Sequence, residues 1–158
     1  MISIKTFFKK RAEEKKLDNV ALFVDGPNMI RKEFSLNLDE VRRRAQKYGR
    51  IVIAKVFLNQ FASEKLIEAV ANQGFEPMIA LGAEEDQDID VFLSISAMEA
   101  IFNPGIQVIA LVTRDTDFLP VIQKAKFYGK KTVLMGSDPG FSVALKHAAD
   151  FVEDVGKR

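Results

Sequence analysis

Residues 106–136 read IQVIALVTRDTDFLPVIQKAKFYGKKTVLMG, and this stretch determines the type of fold. The almost entirely apolar run at 106–112 predicts a strand that is covered on both faces. The amphipathic stretch 117–128 predicts a helix that ends at Gly129, and 131–135 predicts a second strand. A strand, a helix and a strand in this order form a right-handed crossover unit, so we expect the two strands to be parallel.

The same alternation of apolar runs and amphipathic stretches continues on both sides of this unit. Further strands are predicted at 20–24, 51–58 and 75–81 with a short edge strand at 151–152, and further helices at 38–48, 61–72, 89–102 and 142–149. The sequence contains no internal repeat and no low-complexity linker. We therefore predict a three-layer α/β/α fold with a central, mainly parallel sheet and helices on both faces.

The first eighteen residues are set apart from this alternation by their charge. They begin MISIKTFFKKRAEEKK, in which Ile2, Ile4, Phe7 and Phe8 are available for packing. We expect residues 1–18 to form an amphipathic helix that packs on a domain formed by residues 19–158. The many charges argue against a secretory signal.

The composition is that of an ordinary globular protein. The chain has 158 residues, of which 47% are hydrophobic and 28% charged, and it contains no cysteine. Without cysteine there are no disulfides, thiolate nucleophiles or zinc ribbons, which fits a cytoplasmic protein. No apolar stretch approaches the roughly 18 residues of a membrane span. The net charge of +1 means that any surface for nucleic acid must be local.

Four aspartates lie at the ends of predicted strands or at the start of a predicted helix. Asp25 ends the strand 20–24, Asp115 and Asp117 follow the strand 106–112, and Asp90 opens the helix 89–102. Binding sites in open parallel sheets form beyond the carboxyl ends of the strands. We therefore expect these four carboxylates to gather at one edge of the sheet.

Gathered carboxylates repel one another and need a proton, a basic partner or a metal ion. Oxygen ligands without cysteine or nearby histidine favour Mg²⁺ or Mn²⁺ over zinc, and such an ion can promote attack on a phosphodiester. A structural Ca²⁺ site and neutralisation by Arg114 are alternatives. Taken singly, each aspartate could instead be a turn or cap residue, and for Asp117 alone capping is the default interpretation.

Asn28 lies in the same turn as Asp25, in the sequence DGPN. Its amide could bind a substrate phosphate or orient a water molecule. The alternative is that Asn28 caps a segment that starts at Met29.

Four segments together resemble a known family. VALFVDGPNMI, DIDVFLSISAM, ALVTRDTDFLPVIQKAKFYGKKTVLMG and ALKHAADFVED occur in this order between residues 20 and 154. The ordered set is similar to the NYN domain, a branch of the PIN-like ribonuclease fold. The resemblance implies a Mg²⁺- or Mn²⁺-dependent endoribonuclease or RNA-processing domain, with RNA as its partner.

The resemblance also implies roles for particular residues. Asp25, Asp90, Asp115 and Asp117 correspond to the acidic residues that would hold the metal and act in catalysis, and Asn28 lies in the turn after the first strand. Asp150 matches a position that completes the fold, and we interpret it as structural.

Two positions depart from the family pattern. Ser96 stands where family members often have a further aspartate, and Arg114 stands where they usually have glycine. Ser96 could still hold a water molecule, and Arg114 could contact a phosphate or neutralise the site. The alternative function is therefore a catalytically weak or inactive RNA-binding module on the same fold.

Basic residues near the proposed site would contact the RNA backbone. Arg31 and Lys32 follow the DGPN turn directly, and further basic groups occur at 42–50 and 124–131. A run of charges is more often a solvated helix face. A homodimer or a place in a larger RNA-processing complex is compatible with the sequence.

Two other enzyme classes are disfavoured. Phosphatases with an aspartyl nucleophile usually carry a second acid two residues after the first, and Pro27 occupies that position. No GxGxxG motif follows the first strand, which argues against dinucleotide binding.

Overall fold

Six parallel strands form the central sheet of the computed structural model, which describes residues 2–12, 16–31, 34–81 and 86–156. The described residues form eight strands in all, of which β2 and β3 lie outside the central sheet. They are β1 (Asn19–Asp25), β2 (Ile30–Arg31), β3 (Phe34–Ser35), β4 (Arg50–Asn59), β5 (Glu76–Ala80), β6 (Val108–Val112), β7 (Lys131–Gly136) and β8 (Phe151–Asp154). The helices are α1 (Ile4–Ala12), α2 (Gly26–Met29), α3 (Leu38–Ala45), α4 (Glu64–Asn72), α5 (Asp86–Ile101), α6 (Leu119–Phe127) and α7 (Val143–Ala148).

The strand order in the sheet is β5-β4-β1-β6-β7-β8, while β2 and β3 form a separate antiparallel pair. Every pairing within the large sheet is parallel. β1 and β6 lie side by side at the centre, where Val24 pairs with Val112. The residues that follow these two strands therefore leave the sheet next to each other.

Two separate hydrophobic clusters cover the two faces of the sheet. Alternate residues of β1 point to opposite faces, so Phe23 joins Leu93 and Phe118 in one cluster. Leu22 joins Val41 of α3 and Val70 of α4 in the other. Helices α5, α6 and α7 thus cover one face and α3 and α4 cover the other, and the predicted three-layer α/β/α fold is confirmed.

Side-chain caps determine where several helices begin. The Asn37 carboxamide oxygen accepts from the backbone N–H groups of Asp39 and Glu40 at the start of α3. Ser63 caps α4, so this helix begins at Glu64 rather than at the predicted residue 61. A cap of this kind stabilises a helix by about 1 kcal/mol.

The chain differs from the predicted elements in two further places. A short helix, α2, and the pair β2–β3 occupy the segment after β1, where only a turn was expected. Helix α5 begins at Asp86, three residues before the predicted start. Residues 82–85, which precede α5, lie outside the described residues.

Helix α1 occupies residues 4–12 of the N-terminal segment. Its side chains of Ile4, Phe7 and Phe8, and that of Ile2 before it, are all more than half exposed. Packing of this segment on the domain therefore stays a prediction. Within the described part of the chain, no helix combines the length and the apolar character needed to cross a membrane.

Candidate metal centre

Three carboxylates meet at the carboxyl edge of the sheet. Asp25, Asp90 and Asp115 each present an oxygen, and these three oxygens lie within 4.8 Å of one another. Asp25 ends β1, Asp115 follows β6, and Asp90 lies in the first turns of α5, which packs against β1. The adjacency of β1 and β6 is therefore what brings residues ninety positions apart in sequence to one place.

Asp25 is the most enclosed of the three carboxylates, with only 2% of its surface exposed. One carboxylate oxygen, Oδ1, accepts from the backbone N–H of Asn28 at 3.4 Å and so caps α2. The other, Oδ2, accepts from the Thr113 hydroxyl at 3.0 Å. Both ends of the carboxylate are held, which fixes its position before any ligand arrives.

Gly26 allows this turn to approach the sheet. A Cβ atom at Gly26 would lie 2.3 Å from the backbone oxygen of Phe57 and 2.8 Å from a methyl carbon of Leu58. No side chain fits in that space. α2 therefore rests directly on β4, and Asp25 and Asn28 are anchored to the sheet.

Asp115 is positioned through the same threonine. Its backbone N–H donates to the Thr113 hydroxyl at 3.1 Å, and its Oδ1 accepts from the backbone N–H of Asp117 at 2.9 Å. The second contact caps a turn of 3₁₀-helix at Thr116–Phe118. Thr113 is buried and links two of the three carboxylates. Sequence reasoning missed it, although its place between the end of β6 and Asp115 was a usable signal.

Asp90 carries the electrostatic consequence of this arrangement. Burial and the neighbouring charges of Asp25 and Asp115 raise the pKa of Asp90 to about 7. A hydrogen bond to Asp115 and the charge of Asp117 add to the effect. Near neutral pH the three acids therefore hold a proton between them, or they need a cation in its place.

Asp117 contributes charge from a distance. It lies in the 3₁₀ turn, and its side chain is exposed. Among the described residues the cluster of close oxygens consists of the other three aspartates, without Asp117. The default interpretation of Asp117 as a cap was wrong, because Asp115 caps this turn and Asp117 supplies the N–H that is capped.

A family model decides what kind of domain carries this site. The model described as NYN domain matches residues 19–155. The chain belongs to the NYN domain family. The family recognised from the four sequence segments is therefore confirmed.

Two relatives place this NYN domain among known proteins. It is 51% identical over 150 residues to the uncharacterized protein MJ0482 of Methanocaldococcus jannaschii, a match that covers 95% of this chain and 60% of the relative. The chain thus spans about three fifths of that relative's length. The crystal structure of a protein of unknown function from Vibrio parahaemolyticus, VPA0982, superposes with a TM-score of 0.78 and 20% identity, covering 92% of this chain and 97% of that one. This likeness supports the fold.

Arg114 contacts the turn that carries Asn28. Its Nε donates to the side-chain oxygen of Asn28 and its Nη2 to the backbone oxygen of Asn28, both at 3.2 Å, while Nη1 donates to the backbone oxygen of Pro139. Asn28 lies inside α2 and does not cap a following segment, so that alternative was wrong. Arg114 therefore ties the turn after β1 to the loop after β7.

The structure gives less information on the other residues that were predicted to contact the substrate. Ser96 is buried on α5, six residues beyond Asp90, which puts it about 120° around the helix from Asp90. Arg31 lies in β2 of the NYN domain, and Lys32 lies outside the described residues. Their contacts with a substrate stay predictions.

The remaining basic and acidic residues of interest are bound within the protein. Arg42 pairs with Asp39, Arg43 with Glu40, and Arg44 with both Glu40 and Glu153. These arginines each pair with an acid of the NYN domain, and contact of this basic group with RNA stays a prediction. Asp150 accepts from the backbone N–H and the hydroxyl of Thr132, at 2.9 and 3.0 Å, which agrees with its structural interpretation.

Proposed function

We propose that this NYN domain is a divalent-metal-dependent ribonuclease, in which Asp25, Asp90 and Asp115 hold the ion. The observation that carries the proposal is the convergence of three carboxylate oxygens within 4.8 Å at the carboxyl edge of the sheet. Carboxylates placed so close together are stabilised by a cation between them.

The donors fit a hard cation. All three are carboxylate oxygens, the chain has no cysteine, and its one histidine, His147, lies on the exposed side of α7. Carboxylate oxygens are the ligands that Mg²⁺ and Mn²⁺ prefer in proteins. We therefore propose Mg²⁺ or Mn²⁺ as the cofactor.

A bound ion of this kind would supply Lewis-acid polarisation of a phosphodiester and a more acidic attacking water. The residues of the protein supply positioning and the charge that holds the ion. Thr113 and the backbone of Asn28 fix Asp25, so its charge is preorganised towards the site. Asp90, whose pKa is about 7 in the metal-free cluster, would give up its proton when the ion binds, so binding near neutral pH replaces a shared proton with the cation.

RNA is the proposed substrate because the family is one of RNA-processing domains. Arg31 and Lys32 follow the Asp25 turn in the sequence, and we propose that they contact the RNA backbone. Ser96 and Asp117 are proposed as outer residues of the site, and Asn28 as a residue that faces the substrate. We propose a cytoplasmic location from the absence of cysteine.

The test pairs two substitutions at opposite ends of the same strand. Asp25→Asn removes one charge from the site, whereas Asp18→Asn removes one charge just before β1, where Asp18 pairs with Lys131 at 2.8 Å. Mn²⁺ binding is measured by calorimetry, and cleavage is measured on labelled single-stranded and structured RNAs. We expect Asp25→Asn to lower the cleavage rate about 100- to 1,000-fold and Asp18→Asn to leave it unchanged.

The two readouts separate the possible failures. Mn²⁺ binding that depends on Asp25, together with RNA binding and no cleavage, would identify the non-catalytic RNA-binding module instead. The contacts of Arg114 with Asn28 and the replacement of an acid by Ser96 are the features that favour this second candidate. Absence of Mn²⁺ binding in the unmodified protein would remove the metal site altogether.

A further inference from the structure

An apolar groove runs along the exposed face of α5, beginning beside the carboxylates. It has a volume of about 750 Å³. Val91, Ile95, Met98 and Phe102 line it, at the i, i+4, i+7 and i+11 positions of one helical stripe. Ile95 is 55% exposed and Phe102 is 60% exposed, so nothing in the described part of the chain covers this stripe.

The charged residues that line the groove are all acidic. They are Asp90, Glu99 and Asp117, and the described lining contains no lysine or arginine. A phosphate backbone would be repelled by these carboxylates. The groove therefore fits a partner that is apolar on one side and basic on its flanks.

Helix α1 of the same chain has this composition. Its sequence, IKTFFKKRA, contains three lysines and one arginine and no acidic residue. Ile4, Phe7 and Phe8 have the i, i+3, i+4 spacing of one helix face, and all three are more than half exposed. No described residue of the single chain thus covers either the groove or this helix face.

The dimensions of the two surfaces agree. Nine residues of α-helix make α1 about 14 Å long at 1.5 Å per residue. The stripe from Val91 to Phe102 spans about 16 Å on the same basis. A helix of this length fills the groove without overhanging it.

We propose that α1 of one copy of this chain docks into the α5 groove of a second copy, and that the reverse contact closes a twofold-symmetric dimer. The mode is that of an amphipathic helix laid into an apolar groove. Direct pairing of α5 with α5 would bring Asp90, Glu99 and Asp117 of the two copies together, and like charges oppose that arrangement. Basic α1 meets acidic α5 in the proposed arrangement, and its apolar contact and the charge of Glu99 require neither a bound metal ion nor ribonuclease activity.

The experiment uses two variants that each damage one surface. Phe8→Asp places a charge on the apolar face of α1, and Ile95→Asp places a charge in the groove. Both side chains are exposed in the single chain, and circular dichroism confirms that each variant folds. Phe61→Asp is the matched control, because Phe61 is exposed outside both surfaces. Association is measured by sedimentation velocity over a range of protein concentrations.

We expect the unmodified chain and Phe61→Asp to dimerise, and each of the other two variants to dimerise at least about tenfold more weakly, because a carboxylate is buried in an apolar contact. A mixture of the two damaged variants retains one of the two contacts, since the intact α1 of one meets the intact groove of the other. The mixture should therefore associate more tightly than either variant alone, and added salt should weaken all of these dimers.

Three results would overturn the proposal. The unmodified chain could remain monomeric at every concentration, which would leave the groove to a different partner. Phe8→Asp could dimerise as well as the unmodified chain, which would indicate pairing of α5 with α5. The mixture could associate no better than its components, which would show that α1 and the groove do not meet.

Discussion

Two groups of acidic residues in this molecule have opposite electrostatic environments. At the carboxyl edge of the sheet, three aspartates lie together, and the pKa of Asp90 rises to about 7. Beside α3 and β8, Glu40 and Glu153 are surrounded by Arg43, Arg44, Tyr48 and Lys47.

In the second group, burial opposes the ionisation of Glu153, but hydrogen bonds from Tyr48 and Arg44 outweigh it and hold the pKa below its usual range. The pKa of Glu40 is also lowered, by hydrogen bonds from Arg44 and Arg43. The fold therefore neutralises its structural acids with its own side chains and leaves the acids at the sheet edge to share a proton or to bind a cation. That difference separates residues that hold the structure from residues available to bind.

The largest expected effect is stabilisation by the ion at the sheet edge. If Mn²⁺ binds the three aspartates, a concentration of 100 times its Kd raises the free energy of unfolding by about 2.7 kcal/mol. Urea unfolding with and without Mn²⁺ measures this gain. Asp115→Asn should abolish the gain and Glu153→Gln should retain it. Equal gains in both variants would mean that the ion binds elsewhere.

Glu153→Gln should destabilise the protein by about 1.5 kcal/mol, because the Arg44 guanidinium loses one of its two carboxylate partners and keeps only Glu40. Urea unfolding in the absence of metal measures the change. Asp154→Asn is a neighbouring control with the same change of charge, on a carboxylate that accepts from the backbone N–H of Gly156. If Glu153→Gln is as stable as the control, the ion pairs of Glu153 do not stabilise the fold, and the difference between the two acidic groups is not supported.

Asp90→Asn should change the free energy of unfolding in the opposite direction, towards greater stability. It removes a carboxylate that Asp25 and Asp115 repel, so without metal it should stabilise the protein by about 1 kcal/mol at pH 8, after allowance for solvent screening. The measurement is urea unfolding of metal-free protein. A loss of stability would contradict the proposed repulsion.

The pH dependence of that gain follows from the same pKa. Because the folded state holds the Asp90 proton up to about pH 7, whereas the unfolded state releases it near 3.8, the unmodified protein loses stability as the pH rises between these values. The advantage of Asp90→Asn should therefore be absent near pH 4 and complete above pH 7. An advantage that is constant with pH would indicate a packing effect rather than a charge effect.

The smallest expected effect is that of Tyr48→Phe. The Tyr48 hydroxyl donates to Glu153 at 2.7 Å, and burial followed by this contact raises the pKa of Tyr48 to about 12. Removal of the hydroxyl should cost about 0.5 to 1 kcal/mol, since Arg44 still neutralises Glu153. Ultraviolet titration should show that the phenol ionisation near pH 12 in the unmodified protein is absent from Tyr48→Phe. A profile of Tyr48→Phe that keeps this ionisation would contradict the contact between Tyr48 and Glu153.

The sequence was sufficient for the parallel sheet and for the place of the acidic edge. Continuous apolar runs such as 106–112 identify buried strands, and acids that follow such strands fall at one edge whatever the details of the loops. Asp25 and Asp115 were found in this way, and Asp90 was found from its place at the start of a predicted helix.

The details between strands were not predictable from the same signals. The assignment of the cap to Asp117 rather than Asp115 failed because both aspartates in TRDTD are chemically able to cap, and only the path of the backbone distinguishes them. The role of Arg114 depends on Asn28 and on Pro139, which are far from it in sequence. A hydrogen bond between two distant loops leaves no periodic pattern in the chain.

The close approach of α2 to β4 has a consequence for how this site can be recognised in other sequences. The Phe57 carbonyl occupies the place that any side chain at position 26 would need. In a related sequence with the same acidic residues but a larger residue after the first aspartate, the backbone of that turn must follow a different path. The first carboxylate would then occupy a different position. Glycine at this position therefore distinguishes chains in which the three aspartates are arranged as they are here from chains that have the same aspartates in a different arrangement.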